Sequence, residues 1–232
     1  MLKQKCNKIS RKREFSDIEK KRKLAGEIIS ILMKSIENPV CELNYTTDFQ
    51  LLVSVILSAQ ATDVAVNRCM TQIYSEGFTP ETVISWGEEK LRSKIKTIGL
   101  SRTKAKNIHR MSQILVDKYG GNIPRGREDL MSLPGVGRKT ANVVLGELYG
   151  EKTLAVDTHV FRVTGRLGLQ KEKDPIKAEA QLIKIIDEKY LPVAHHLLVL
   201  FGRYTCKAVK PRCGECELNK ICNFFKSLLK KP

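Results

Sequence analysis

The chain has 232 residues, 42% of them hydrophobic, with 41 Lys plus Arg against 25 Asp plus Glu and a formal net charge of +16. That apolar content suffices for a sizeable core and excludes wholesale disorder, and the length allows one or two domains. The longest apolar stretch, Leu51 to Leu57 interrupted by Ser54, falls far short of the ~20 residues a membrane-spanning helix needs, and no apolar run follows the basic start. The expectation is a protein of the cell interior with no membrane partner.

Ser16 and Glu19 have the spacing of a capping box, and Leu24, Ile28, Ile31, Leu32 and Ile36 then recur at helical period up to Pro39. Thr47 and Gln50 repeat the capping pattern before Phe49, Leu52, Val53, Ile56 and Leu57, a segment apolar on most faces and therefore a central helix, with Gln60 at its end. Helices follow near Thr62–Tyr74, at Pro80–Ser93 and at Thr103–Tyr119, the last with Ile108, Met111 and Leu115 on one face and Gly120-Gly121 as its stop. Further helices are predicted from Arg127 to Leu133, from Arg138 onward, after Asp157 as an N-cap, after Asp174-Pro175, and from Pro192 to Tyr204. No segment alternates like a strand, so the fold class is all-α.

Charge is uneven. Residues 1–23 carry a net +7, residues 90–110 +8 and residues 206–232 +5, whereas residues 24–89 carry −7. Clustered Lys and Arg displace condensed counterions from phosphates, so a polyanion such as nucleic acid is the economical partner. Any one run taken alone is equally a solvated helix face.

Residues 127–148 read as a helix-hairpin-helix, with Pro134-Gly135-Val136-Gly137 between two short helices. Two glycines flanking one apolar residue leave backbone N–H groups unobstructed at a helix N-terminus, a cationic concavity suited to a phosphate oxygen. A bare Gly-x-Gly is also the mark of an ordinary tight turn between helices. The most specific pattern lies further on, where Cys206, Cys213, Cys216 and Cys222 fall in C-x6-C-x2-C-x5-C spacing. Four thiolates hold either a structural zinc ion or a [4Fe-4S] cluster; a single short C-x2-C pair with wider flanking loops leans toward the cluster. Disulfides are not expected in a chain of the cell interior.

The strings Leu133-Pro134-Gly135-Val136-Gly137-Arg138-Lys139-Thr140-Ala141-Asn142, Val156-Asp157-Thr158-His159 and Leu57-Ser58-Ala59-Gln60-Ala61-Thr62-Asp63, with the cysteine spacing, resemble the endonuclease III family of DNA glycosylases over roughly residues 24 to 225. The resemblance implies a two-domain all-α fold with the active-site cleft between the domains. One is a six-helix domain over 41–151 that bears the hairpin at 127–148. The other, over 17–40 plus 152–232, holds a [4Fe-4S] cluster, and residues 1–16 are a basic extension. It further implies a monomer acting on double-stranded DNA that contains a damaged base or an abasic site, cytoplasmic and nucleoid-associated in a prokaryote or else nuclear.

The family's catalytic positions fall on Lys139 and Asp157. Lys139 sits in the first turn of the hairpin's second helix, where the helix dipole and Arg138 oppose a further positive charge and favour a nucleophilic amine. Without the resemblance, Lys139 reads as a phosphate contact and Asp157 as a helix cap. The implied reaction flips a damaged pyrimidine from the duplex, attacks the sugar C1′ with the Lys139 amine, and nicks the strand by β-elimination through the resulting Schiff base. DNA contacts are expected from Gly135, Val136, Gly137, Arg138 and Thr140 of the hairpin, and from Lys210 and Arg212 of the cysteine loop. His159 is expected in the active-site wall. Gln60 fills the hole left by the flipped nucleotide, and Leu100 is a wedge in the Ile98-Gly99-Leu100 turn. Rival readings are an adenine-mismatch or ultraviolet-dimer glycosylase of the same superfamily and a non-catalytic iron–sulfur DNA-binding protein. Lys139 and Leu57-Ser58-Ala59-Gln60 disfavour the adenine-mismatch type, which lacks the lysine.

Overall fold

The computed structural model describes residues 2–230, with side chains from residue 15 onward, so the side chains of most of the basic extension lie outside the described residues. Every long regular element among the described residues is an α-helix. The chain divides into two compact units, Cys41–Glu151 and Met1–Val40 with Lys152–Pro232.

The first unit is built on α2 (Asp48–Leu57), whose residues Phe49 to Leu57 are all buried. Around it lie α3 (Asp63–Tyr74), α4 (Pro80–Lys94), α5 (Ser101–Tyr119), α6 (Arg127–Ser132) and α7 (Arg138–Tyr149). Each contributes one apolar stripe: Val66, Met70 and Ile73 from α3, Ala105, Ile108, Met111 and Leu115 from α5, and Ala141, Val144 and Leu145 from α7. Burying such side chains contributes roughly 1.5–3 kcal/mol apiece, which explains why a helix apolar on nearly every face lies at the centre.

The second unit packs α1 (Leu2–Ser35), α8 (Thr158–Leu167), α9 (Pro175–Ile185), α10 (Leu191–Tyr204) and the short α11 (Asn223–Leu229). Ile28, Ile29 and Leu32 of α1, Val160, Val163 and Leu167 of α8, and Leu197 and Leu198 of α10 share one core with Leu218 and Cys222 of the cysteine loop.

The helix boundaries expected at Thr62, Asp157 and Asp174 match observed N-caps, each side-chain oxygen accepting from the backbone N–H three residues on. Three expectations are corrected. The first helix runs unbroken from Leu2, so Ser16 and Glu19 are interior and cap nothing; the preceding Lys- and Arg-rich residues are good helix formers with no breaker among them. The helix at Pro80 is interrupted at Gly87, whose φ of +69° is left-handed. At the start of α2, Thr47 caps Gln50 as expected, but the Gln50 carbonyl Oε1 reaches past it to accept from the backbone N–H of Thr46 at 2.8 Å.

Candidate active site and cluster site

Leu133 and Val136 anchor the hairpin. Both are buried, at 2% and 6% exposure, so the turn between α6 and α7 is pinned from inside while Gly135 and Gly137 remain exposed. Gly135 has two reasons to lack a side chain: its φ is +85°, and a Cβ there would come within 3.2 Å of Asn107 Cβ on α5. Gly137 is the N-cap of α7, no side chain caps that helix, and a Cβ at Gly137 would meet open space. The first-turn N–H groups of α7 therefore face an uncluttered surface, as the sequence led us to expect of a phosphate seat. Arg138, Lys139 and Thr140 follow in that first turn, each half-buried.

Gln60 and Leu100, distant in sequence, come close together in the same unit. Gln60 follows the end of α2, and Leu100 precedes α5; a methyl group on the neighbouring Gly99 would lie 3.8 Å from the Gln60 carbonyl oxygen. Both side chains are exposed, Leu100 at 58%. Both have φ of +61°, and Lys210 has φ of +49°; among the described residues these are the only non-glycine positions in the left-handed region. Holding a side chain there costs about 1 kcal/mol or more, strain that concentrates where loops bind ligands.

In the other unit, Leu154, Ala155 and Val156 are buried and deliver Asp157 to the start of α8. There its Oδ1 accepts from the Val160 N–H at 2.8 Å. Its second oxygen is not needed for the cap, and the residue is half-buried. His159, in the first turn of α8, shares a contact of 3.2 Å between its Nδ1 and Arg162 Nη2. Burial pushes the His159 pKa below the usual histidine value, with Asp157 opposing and Arg162 and Arg203 assisting.

Cys206, Cys213, Cys216 and Cys222 line one open pocket together with Leu167, Phe201, Phe224 and Phe225. Among the described residues no three His, Cys, Asp or Glu side chains converge as they would around a single metal ion. A pocket lined by all four cysteines without such convergence fits a polynuclear cluster better than one zinc ion. Burial, followed by the charges of the other cysteines, pushes the Cys213 thiol up, and burial does the same at Cys216. Thiolates at Cys213 and Cys216 therefore call for a cationic core to hold them.

Sequence reasoning missed two arginines that shape the loop. Arg162 donates from Nε to the Cys206 carbonyl at 3.1 Å and from Nη2 to the Gly202 carbonyl at 2.9 Å. Arg166 donates to the Lys207 and Ala208 carbonyls at 2.6 and 3.0 Å and to Cys206 Sγ at 3.5 Å, with its guanidinium 4.5 Å from the centre of the Phe224 ring. Their four-residue spacing on α8 put them on one face, a signal present in the sequence, but nothing local linked that face to a loop some forty residues away. Lys210 and Arg212 stand exposed on the loop, as expected.

The basic run at 90–110 is less available than its charge implied. Lys94 pairs with Glu76 at 2.7 Å and lies over the Trp86 ring, Arg92 reaches Glu89 at 3.3 Å, and Lys104 is buried at 5% exposure. The net +8 counted over this segment is therefore not all free to face a polyanion, because acidic and aromatic neighbours claim part of the charge.

A helix-hairpin-helix with a lysine in the first turn of its second helix, and a four-cysteine loop after the last long helix, define a class of DNA-repair protein. Residues 53–188 match the family model of the HhH-GPD superfamily base excision DNA repair protein, and residues 206–222 match that of the iron-sulfur binding domain of endonuclease III. Endonuclease III of Rickettsia conorii is 49% identical over 88% of this chain and 98% of its own length, and that of Escherichia coli is 44% identical over 85% and 94%. A solved non-covalent endonuclease III–DNA complex superposes with a TM-score of 0.87 at 40% identity, covering 90% of this chain and 99% of the other. The chain belongs to the endonuclease III family. It is a base-excision-repair DNA glycosylase with abasic-site lyase activity, and it carries a [4Fe-4S] cluster. No helix among the described residues is long and apolar enough to cross a membrane.

Proposed function

We propose that this enzyme excises oxidised pyrimidines from duplex DNA and cuts the strand at the resulting site, with Lys139 as nucleophile and Asp157 as the carboxylate that stabilises charge on the sugar. The observation that carries the reading is the place of Lys139, half-buried in the first turn of α7 directly behind the open hairpin backbone. A phosphate bound at the hairpin N–H groups brings the adjoining sugar within reach of the first turn.

In the proposed sequence, the neutral Lys139 amine attacks C1′, the C1′–N bond to the base breaks and the base leaves with its electron pair and takes up a proton. The lysine nitrogen gives up a proton, and the C1′–O4′ bond then breaks, O4′ leaving as a hydroxyl, to give the protonated imine. The protonated imine then acidifies C2′–H. Loss of that proton moves its electron pair into a C2′–C3′ double bond and expels the 3′ phosphate; water releases the lysine from the imine. Asp157 keeps one oxygen on the α8 cap and uses its negative charge to stabilise the positive charge that develops on the sugar. His159 adjoins that carboxylate as part of the wall. The cluster takes no part in these steps: Cys206, Cys213, Cys216 and Cys222 hold it, and it fixes the loop that offers Lys210 and Arg212 to the DNA backbone. Gly135, Val136, Gly137, Arg138 and Thr140 seat a phosphate, while Gln60 and Leu100 enter the duplex where the nucleotide leaves.

On this reading the enzyme is a monomer that works on DNA in the cytoplasm; the bacterial sources of the relatives support the cytoplasmic part alone. The test is strand cleavage of duplexes that each carry one lesion. Cleavage at thymine glycol and other oxidised pyrimidines, with intact thymine and ultraviolet dimers left untouched, is the expected result; cleavage at no oxidised pyrimidine overturns the reading.

A further inference from the structure

Lys104 is a buried cation that the chemistry above does not use. It belongs to the inward stripe of α5, one turn before Ile108, and is 5% exposed. Its Nζ donates to the Leu57 carbonyl at 2.8 Å and to the Ala59 carbonyl at 2.6 Å. These carbonyls belong to the last residue of α2 and to the residue immediately before Gln60. Burial pulls the Lys104 pKa below the ordinary lysine value, so the amine is held here at a cost.

The same helix reaches two more parts of the DNA-facing surface. Leu100 is its N-cap, and the Lys104 N–H closes the first helical turn onto the Leu100 carbonyl at 3.0 Å. Asn107, three residues on and on the same face, is the side chain that a Cβ on Gly135 of the hairpin would strike. Backbone at Leu100 and side chain at the Gln60 loop thus meet in one residue.

We propose that Lys104 is a positioning residue for nucleotide extrusion: by tying the Leu57–Ala59 backbone to the first turn of α5, it makes Gln60 and Leu100 enter the duplex as one rigid pair. The proposal rests on the reading of those two residues as the ones that enter DNA. A merely structural role, capping the open carbonyls at the end of α2, is the competing account.

The experiment uses the full-length, cluster-loaded protein. Affinities for a duplex with one tetrahydrofuran abasic analogue and for the undamaged duplex are measured at one salt concentration, for wild type, Lys104→Met, the Gln60→Ala/Leu100→Ala pair, and all three together. Because Lys104 is buried, affinity for undamaged DNA is expected to change less than about twofold in Lys104→Met, while the ratio of specific to non-specific affinity falls about tenfold. In the Gln60→Ala/Leu100→Ala background, adding Lys104→Met should change that ratio by less than about twofold, because the pair it positions is gone. An unchanged ratio in Lys104→Met overturns the proposal, as does an equal further loss in the double-variant background. If Gln60→Ala/Leu100→Ala itself leaves the ratio unchanged, the reading of those residues falls and the clamp falls with it. Should Lys104→Met fail to fold, Lys104→Gln, whose amide can still donate to one of the two carbonyls, carries the same comparison.

Discussion

The hairpin loop and the cluster loop, both proposed to meet the DNA backbone, are held in opposite ways. The hairpin turn is fixed from within, by Leu133 and Val136 in the core and by glycine where the backbone must go left-handed or pass close to Asn107. The cluster loop from Cys206 to Cys222 places only Leu218 and Cys222 among the buried residues and leaves Lys207 to Lys210 exposed. Its shape comes from outside, from Arg162 and Arg166 on α8 and from the cofactor its cysteines bind. Local apolar burial makes a loop autonomous; a loop without it depends on remote side chains and a prosthetic group.

Removing the cluster breaks this comparison most severely. With Cys213→Ser, absorbance near ~400 nm should be lost and proteolysis should cut between residues 206 and 222, while α2 and α7 keep their hydrogen-exchange protection. Equal loss of protection in both units would refute the asymmetry. The converse variant, Gly135→Ala, meets a strained φ and the Asn107 side chain, and should destabilise the hairpin unit by about 2 kcal/mol with the cluster spectrum unchanged. A smaller effect is expected at Asp157, where alanine removes the cap on α8 for about 1 kcal/mol whereas asparagine retains the cap. Thermal melts of the two variants separate them, and activity should be lost in both if the negative charge matters.

The smallest effect is a pH dependence in the cluster unit. Burial holds the folded pKa of His159 below its unfolded value, so the unfolded chain binds more protons between the two. Stability should therefore fall as pH drops below about 6.5, level off once the folded histidine also protonates, and return as pH rises. His159→Gln should flatten that part of the profile measured by urea melts. An unchanged slope would mean that other groups near Asp157, Arg162 and Arg203 carry it.

Much of this was legible in the sequence for the reason the two loops differ. Caps at Thr62, Asp157 and Asp174, the central helix and the hairpin follow from local pattern, and the family strings marked the four cysteines, Lys139 and Asp157. Lys104 was hidden by its own charge. Counted in a basic run, it reads as a phosphate contact, yet it stands four residues before Ile108 and seven before Met111, on the buried stripe, and that period places it inward. The left-handed backbone at Gln60 and Leu100 had no such signal, because neither is glycine and the constraint is tertiary. Arg162 and Arg166 were invisible as clamps because their partners lie far along the chain.

The central claim is that the hairpin's second helix carries the nucleophile, and borohydride reduction during turnover on a thymine glycol duplex tests it most directly. The account predicts one covalent protein–DNA adduct, mapped by peptide mass to Lys139 and absent from a folded, cluster-loaded Lys139→Ala variant. An adduct of undiminished yield in that variant, or one mapped to a different amine, would contradict it.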